Sequence, residues 1–254
     1  SLSFSNNSLQ VTGPVSGTGP LTLAGGPSCY GHVSISGTHS YAGTITASPL
    51  SCLKAMLNGA SLPSANYVFS ANQMGGNGTL GAFSWPNAGD LVIGGNNVVQ
   101  TTDTTTGVLN TGSFSASNSG GLYMNVNGTS PGASYDQINV TGTVTLGSSK
   151  TLNLTLGSSF VPSLGQQFVL INNDGADAVS GTFSGRPQGA LITLNGSESQ
   201  LSYLGGTGND VVLTCIFSPR AWNGSASNLW SNPNNWTPAG IPITGDGLLF
   251  PAGA

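Results

Sequence analysis

The stretch Val140-Thr141-Gly142-Thr143-Val144-Thr145-Leu146, followed by Leu152-Asn153-Leu154-Thr155-Leu156, alternates aliphatic side chains with Thr, Gly or Asn. Successive side chains of a strand point to opposite faces, so this alternation predicts strands with one buried and one wetted face. Thr suits the wetted face because its branched Cβ packs well on a pleated surface. The pattern recurs at Leu21-Thr22-Leu23 and Val33-Ser34-Ile35. Gly25-Gly26, Gly75-Gly76, Gly94-Gly95, Gly120-Gly121 and Gly205-Gly206 read as turns between strands. Only Leu50–Leu57 (LSCLKAML) is compatible with a short helix.

Working outward, the composition removes several classes. The chain has 254 residues, of which 5% are charged: four basic and eight acidic, for a net charge of −4. Average soluble domains carry about 25% charged residues. Four scattered cations (Lys54, Lys150, Arg186, Arg220) cannot neutralise a nucleic-acid backbone, so no nucleic-acid partner is expected. No apolar run approaches the roughly 18 residues of a membrane helix, so no membrane insertion of this segment is expected. The 37% hydrophobic content and small net charge argue against disorder despite 39 Gly. The chain has no initiator Met and no positively charged segment ahead of an apolar one, so a signal peptide is expected to be absent from it or already removed.

Many short strands fit a sandwich, a barrel or a β-solenoid. A solenoid tolerates Gly and Asn at its corners and needs few charge pairs, because each coil hydrogen-bonds to its neighbours. At roughly 20–25 residues per coil, on the order of nine or ten coils are expected. The composition shifts near Ile216: Trp85 stands alone before it, and Trp222, Trp230 and Trp236 follow together with Pro219, Pro233, Pro238 and Pro242. We therefore expect one domain over 1–218 and a Trp/Pro-rich connector over 219–254.

Three pieces carry a resemblance to a known family: Asn125-Val126-Asn127-Gly128-Thr129-Ser130-Pro131-Gly132, Tyr135-Asp136-Gln137-Ile138-Asn139-Val140-Thr141-Gly142, and Tyr203-Leu204-Gly205-Gly206-Thr207-Gly208-Asn209-Asp210-Val211-Val212-Leu213-Thr214. With the rest of 107–214 they resemble the end of bacterial passenger domains built from autotransporter-associated β-strand repeats. Gly17–Gly25 and His39–Ile45 are similar to the repeat itself. The resemblance implies an all-β fold, a right-handed parallel β-helix, exported to the cell surface or the extracellular space. The Trp-rich tail looks like the opening of another such module, which implies a tandem array or copies of the chain joined head to tail.

An exported protein favours disulfides. Cys29 and Cys52 are 23 residues apart, about one coil, and are expected to pair. Cys215 is then left as a free thiol or an intermolecular bridge. Gly205–Leu213 fits a calcium nonapeptide, but a single copy offers one carboxylate, Asp210, where calcium takes six to eight oxygens. A Gly turn is the simpler reading, and no metal or cofactor is expected. Gly76-Asn77-Gly78-Thr79-Leu80-Gly81 satisfies a dinucleotide fingerprint without the strand and helix that would confirm it, so it reads as a coil corner. His32 and His39 lack the close Cys and His spacing of a zinc site. Glu198 is the only Glu, and Asp174 and Asp177 lie in a Gly-rich turn, so converging acid and base groups are not expected and the chain reads as no enzyme. Trp222, Trp230, Trp236, Leu249 and Phe250 are expected to form a cap or joint. Their rival reading is a sugar-stacking surface, which would make the chain an adhesive module for surface glycans. The expected role is structural, as an extracellular spacer or a filament subunit.

Overall fold

The computed structural model of the protein describes residues 2–4, 8–25, 32–47, 54–70, 73–95, 104–157 and 160–251. In chain order the first strands are β1 (Leu2–Phe4), β2 (Ser8–Val11), β3 (Ser16–Gly17), β4 (Leu21–Gly25), β5 (His32–Ile35), β6 (Ser40–Tyr41), β7 (Thr44–Ala47) and β8 (Lys54–Leu62). Then come β9 (Asn66–Phe69), β10 (Gln73–Leu80), β11 (Phe83–Trp85), β12 (Asp90–Ile93), β13 (Val108–Thr111), β14 (Phe114–Ala116), β15 (Gly120–Val126) and β16 (Gln137–Val140). The last are β17 (Val144–Leu146), β18 (Lys150–Leu156), β19 (Gln167–Asn173), β20 (Leu191–Leu194), β21 (Ser197–Gly205), β22 (Asp210–Trp222), β23 (Trp236–Thr237) and β24 (Asp246–Leu249). The described residues contain no α-helix, only a 3-10 turn at Pro233–Asn235. The protein is all-β with large parallel sheets.

Two sheets account for most strands. The first runs β1-β4-β7-β9-β11-β14-β17, with every neighbouring pair parallel. In chain order its strands alternate with strands of the second sheet as far as β18. In the second sheet β10 is the branch point: Gln73–Gly76 pair with β12, and Gly78–Thr79 pair with β13. From there β12-β15-β18 and β13-β16-β19 continue as two parallel rows.

The spacing between paired residues is less regular than the composition suggested. It runs from Tyr67↔Phe83 to Phe83↔Phe114, and the first sheet has seven strands among the described residues.

Alternation decides which side chains fill the space between the sheets. Leu23, Ile45, Tyr67, Phe83, Phe114 and Val144 are buried from the first sheet, and Leu91, Leu122, Ile138 and Leu152 from the second. Register stacks like on like: Tyr67, Phe83 and Phe114 form a column with ring centroids 6.1 and 5.5 Å apart. On the wetted side Asn110, Asn139 and Asn172 form an amide ladder, Asn139 Nδ2 donating to Asn110 Oδ1 at 2.9 Å and Asn172 Nδ2 to Asn139 Oδ1 at 3.1 Å. Such ladders need parallel, in-register strands, because only then do identical side chains fall one above another.

Three expectations change. Of the helix-compatible stretch, 50–53 lie outside the described residues and Lys54–Leu57 belong to strand β8, because β5 and β10 flank that strand and ladder pairing overrides a weak helical pattern. Gly75-Gly76 and Gly120-Gly121 lie inside β10 and β15, not in turns. There a side chain has no room: a Cβ at Gly76 would collide with the Leu57 carbonyl. Finally, the named strands between Asn173 and position 218 pair antiparallel, not parallel. Beyond Asn173, β22 runs antiparallel to β19 and β21, and β20 runs antiparallel to β21. The two-residue link Asn195-Gly196 has positive φ at both positions, 48° and 82°. That is the primed turn that joins antiparallel strands. Strand β22 runs through position 218.

Candidate functional site: an apolar surface on the tail

The tail is built on the end of β22. Trp222 pairs with Trp236 of β23, and Ser218–Ala221 pair in parallel with β24. Arg220 Nε meets Asp246 Oδ2 at 2.6 Å, with side chains 12% and 1% exposed, and the same oxygen accepts the Ile243 N–H at 3.0 Å. Arg220 Nη1 also donates to the Pro238 carbonyl at 3.0 Å. These bonds fasten β24 and the loop before it to β22.

Asn235 holds the other side together. It is completely buried. Its Oδ1 accepts the Ala226 and Ser227 N–H groups, both at 2.8 Å, and its Nδ2 donates to the Ser227 and Leu229 carbonyls at 2.7 and 2.9 Å. One amide thus satisfies four backbone groups of a loop with no regular structure of its own. The 3-10 turn places Asn235, and the side chain of Asn232 caps it by accepting the Asn234 N–H.

On this frame sits a cluster of four aromatics. Trp236 is 2% exposed and donates Nε1–H to the Trp230 carbonyl at 2.9 Å. Trp222 meets it edge-on at 5.1 Å, and Trp230 does so at 5.9 Å. Phe250 lies 5.4 Å from Trp230 with ring planes 32° apart. Trp230 and Phe250 remain 57% and 53% exposed. Leu229, Ile241, Ile243 and Leu249 are exposed as well. Of the large apolar side chains exposed among the described residues, only Leu191 and Leu204 lie outside 216–250. The one charge beyond Arg220 is Asp246, which Arg220 neutralises. An uncharged, apolar surface is suited to binding by burial of area.

The sequence-predicted joint residues Trp222, Trp230, Trp236 and Phe250 are thus brought together, and Leu249 is exposed on the neighbouring strand. Arg220, Asp246 and Asn235, which hold that surface, were not singled out in the sequence. Cys29 and Cys52 lie outside the described residues. Cys215 is a buried free thiol lying 3.4 Å from the Phe217 carbonyl. Burial pushes its pKa up, which disfavours the reactive thiolate. Asp210 Oδ1 accepts the Asn173 N–H at 2.9 Å, and Asn209 Nδ2 ties the turn to the Asp174 carbonyl at 3.1 Å. No group of three or more His, Cys, Asp or Glu comes together among the described residues. The Gly76–Gly81 motif is no corner; its first five residues belong to strand β10, which slips register at Asn77/Gly78. His39 is buried, accepting the Val15 N–H at Nδ1 and lying 3.1 Å from the Ser36 carbonyl through Nε2. Glu198 lies in β21, paired with Thr193.

A scan against known protein families finds no match, and no curated protein matches the chain.

Proposed function

We propose that the chain is a structural protein, a right-handed parallel β-helix that serves outside the cell as a spacer or as a subunit of a head-to-tail filament, without catalysis. The observation that carries this reading is the contrast between long parallel sheets with a sealed apolar interior and an uncharged tail that leaves its apolar residues in water. Natural monomers seldom expose large contiguous apolar patches unless they bind something there. A second copy of the chain fits that surface, because a heterologous contact that does not close extends into a fibre. The bacterial cell-surface setting rests on the resemblance of 107–214 to passenger-domain repeats. In this reading, 219–254 is the connector that joins one unit to the next.

Electron microscopy of the purified chain at increasing concentration tests the reading. Rods of constant width that lengthen with concentration are the expected result; compact particles of one size would refute the filament. A second reading, an adhesive module, is favoured by the exposed Trp230 and Phe250 rings, on whose faces a neutral sugar can stack. Binding on a glycan array that Trp230→Ala abolishes would decide for it.

A further inference from the structure

A column in the second sheet is made of residues without side chains. Gly120 stands beside Lys150, and the pairing of Leu122 with Leu91 puts Gly89 next in line. A Cβ at Gly120 would collide with the Gly89 carbonyl. The Lys150 side chain is completely buried and turns back over this column. Its Nζ donates to the Ser119 carbonyl at 2.7 Å and to the Asn87 carbonyl at 3.0 Å, and lies 3.4 Å from the centre of the Trp85 ring. Ser119 precedes β15, Asn87 precedes β12 and Trp85 ends β11. One amine therefore grips the two passes of the chain before its own.

We propose that Lys150 is a clasp that fastens three successive passes of the parallel sheet and works in both of its protonation states. An ammonium group offers three N–H donors, enough for both carbonyls with the charge held over the ring. A neutral amine keeps two donors and loses only the attraction to the ring. Burial pulls Lys150 down to about 7, against the opposing pull of Asp90 at the head of β12. Asp90 also accepts the Gly121 N–H at 2.8 Å, and burial, with Asp90 as the lesser cause, raises the pKa of Tyr123 on β15. Beyond β18, Ser184 N–H donates to the Lys150 carbonyl. The charged and titratable groups on that side are Arg186, which bonds to the Leu191 carbonyl, and Tyr203, whose hydroxyl bonds to the Arg186 carbonyl and the Phe183 N–H. The lowered value fixes the sign of the pH dependence. Below about pH 7 the folded and unfolded chains both hold the proton, and the folded state bears the full cost of burying it. As pH rises from 7 toward 10.5, the folded chain releases a proton that the unfolded chain keeps, so stability from this site rises.

The chain has two lysines, Lys54 and Lys150, so lysine-labelled protein gives two side-chain signals by NMR. One signal is expected to titrate near neutrality; both titrating above pH 10 would overturn the proposal. Lys150→Met removes the clasp. Amide exchange across β12, β15 and β18 should then quicken by about tenfold, while the tail is unchanged. The melting temperature of the native chain should gain on that of K150M from pH 7 to 9.5. Unchanged exchange, or a constant gap in melting temperature, would contradict the proposal. The titration is read on the native chain and holds even where the variant fails to fold.

Discussion

The parallel sheets and the tail use opposite rules for the same residue types. In the sheets Phe69, Phe83, Trp85 and Phe114 are sealed, and water meets Thr, Ser and Asn. In the tail Trp230, Leu249 and Phe250 face water, while an amide (Asn235) and a carboxylate (Asp246) are buried. The sheets gain stability from stacking apolar side chains in columns. The tail gains shape from a few saturated polar nodes and keeps its apolar area free. Apolar burial is thus concentrated in the sheets and apolar exposure in the tail.

Substitutions sharpen that comparison. Phe114→Ala opens a hole in the aromatic column between Phe83 and Val144 and should cost about 3–5 kcal/mol by urea unfolding. Asp246→Asn leaves Arg220 without its counter-charge in a nearly buried site. A loss of about 3 kcal/mol is expected, confined to the tail and seen as protease cleavage within 223–250 while the sheets stay protected. Asn139→Ala breaks the middle of the amide ladder and should cost about 1 kcal/mol of global stability. Trp230→Ala should shift stability by less than about 0.5 kcal/mol, since the ring is mostly in water, and yet weaken association of the chain. A large loss of stability from Trp230→Ala, or none from Phe114→Ala, would break the comparison.

Much of this was legible in the residues. Alternation at Leu21–Leu23, Val33–Ile35 and Leu152–Leu156 marked true strands, and the crowding of Trp after 218 marked the aromatic cluster. The misreadings have physical causes. Glycine pairs favour turns, but at 75–76 and 120–121 glycine serves close packing against neighbouring chain. Asn195-Gly196 is a strong local hairpin signal, and it marks the turn between β20 and β21. The partners of Lys150, Asp246 and Asn235 are distant in sequence or are backbone atoms, so no local pattern announces them.

Sedimentation velocity of the native chain beside a double variant, Leu249→Asp with Phe250→Asp, puts the division between column and tail to its most direct trial. The native chain should associate with rising concentration, and the variant should remain a monomer with an unchanged melting temperature. A native chain that stays monomeric throughout, or a variant that associates as readily, would contradict the account.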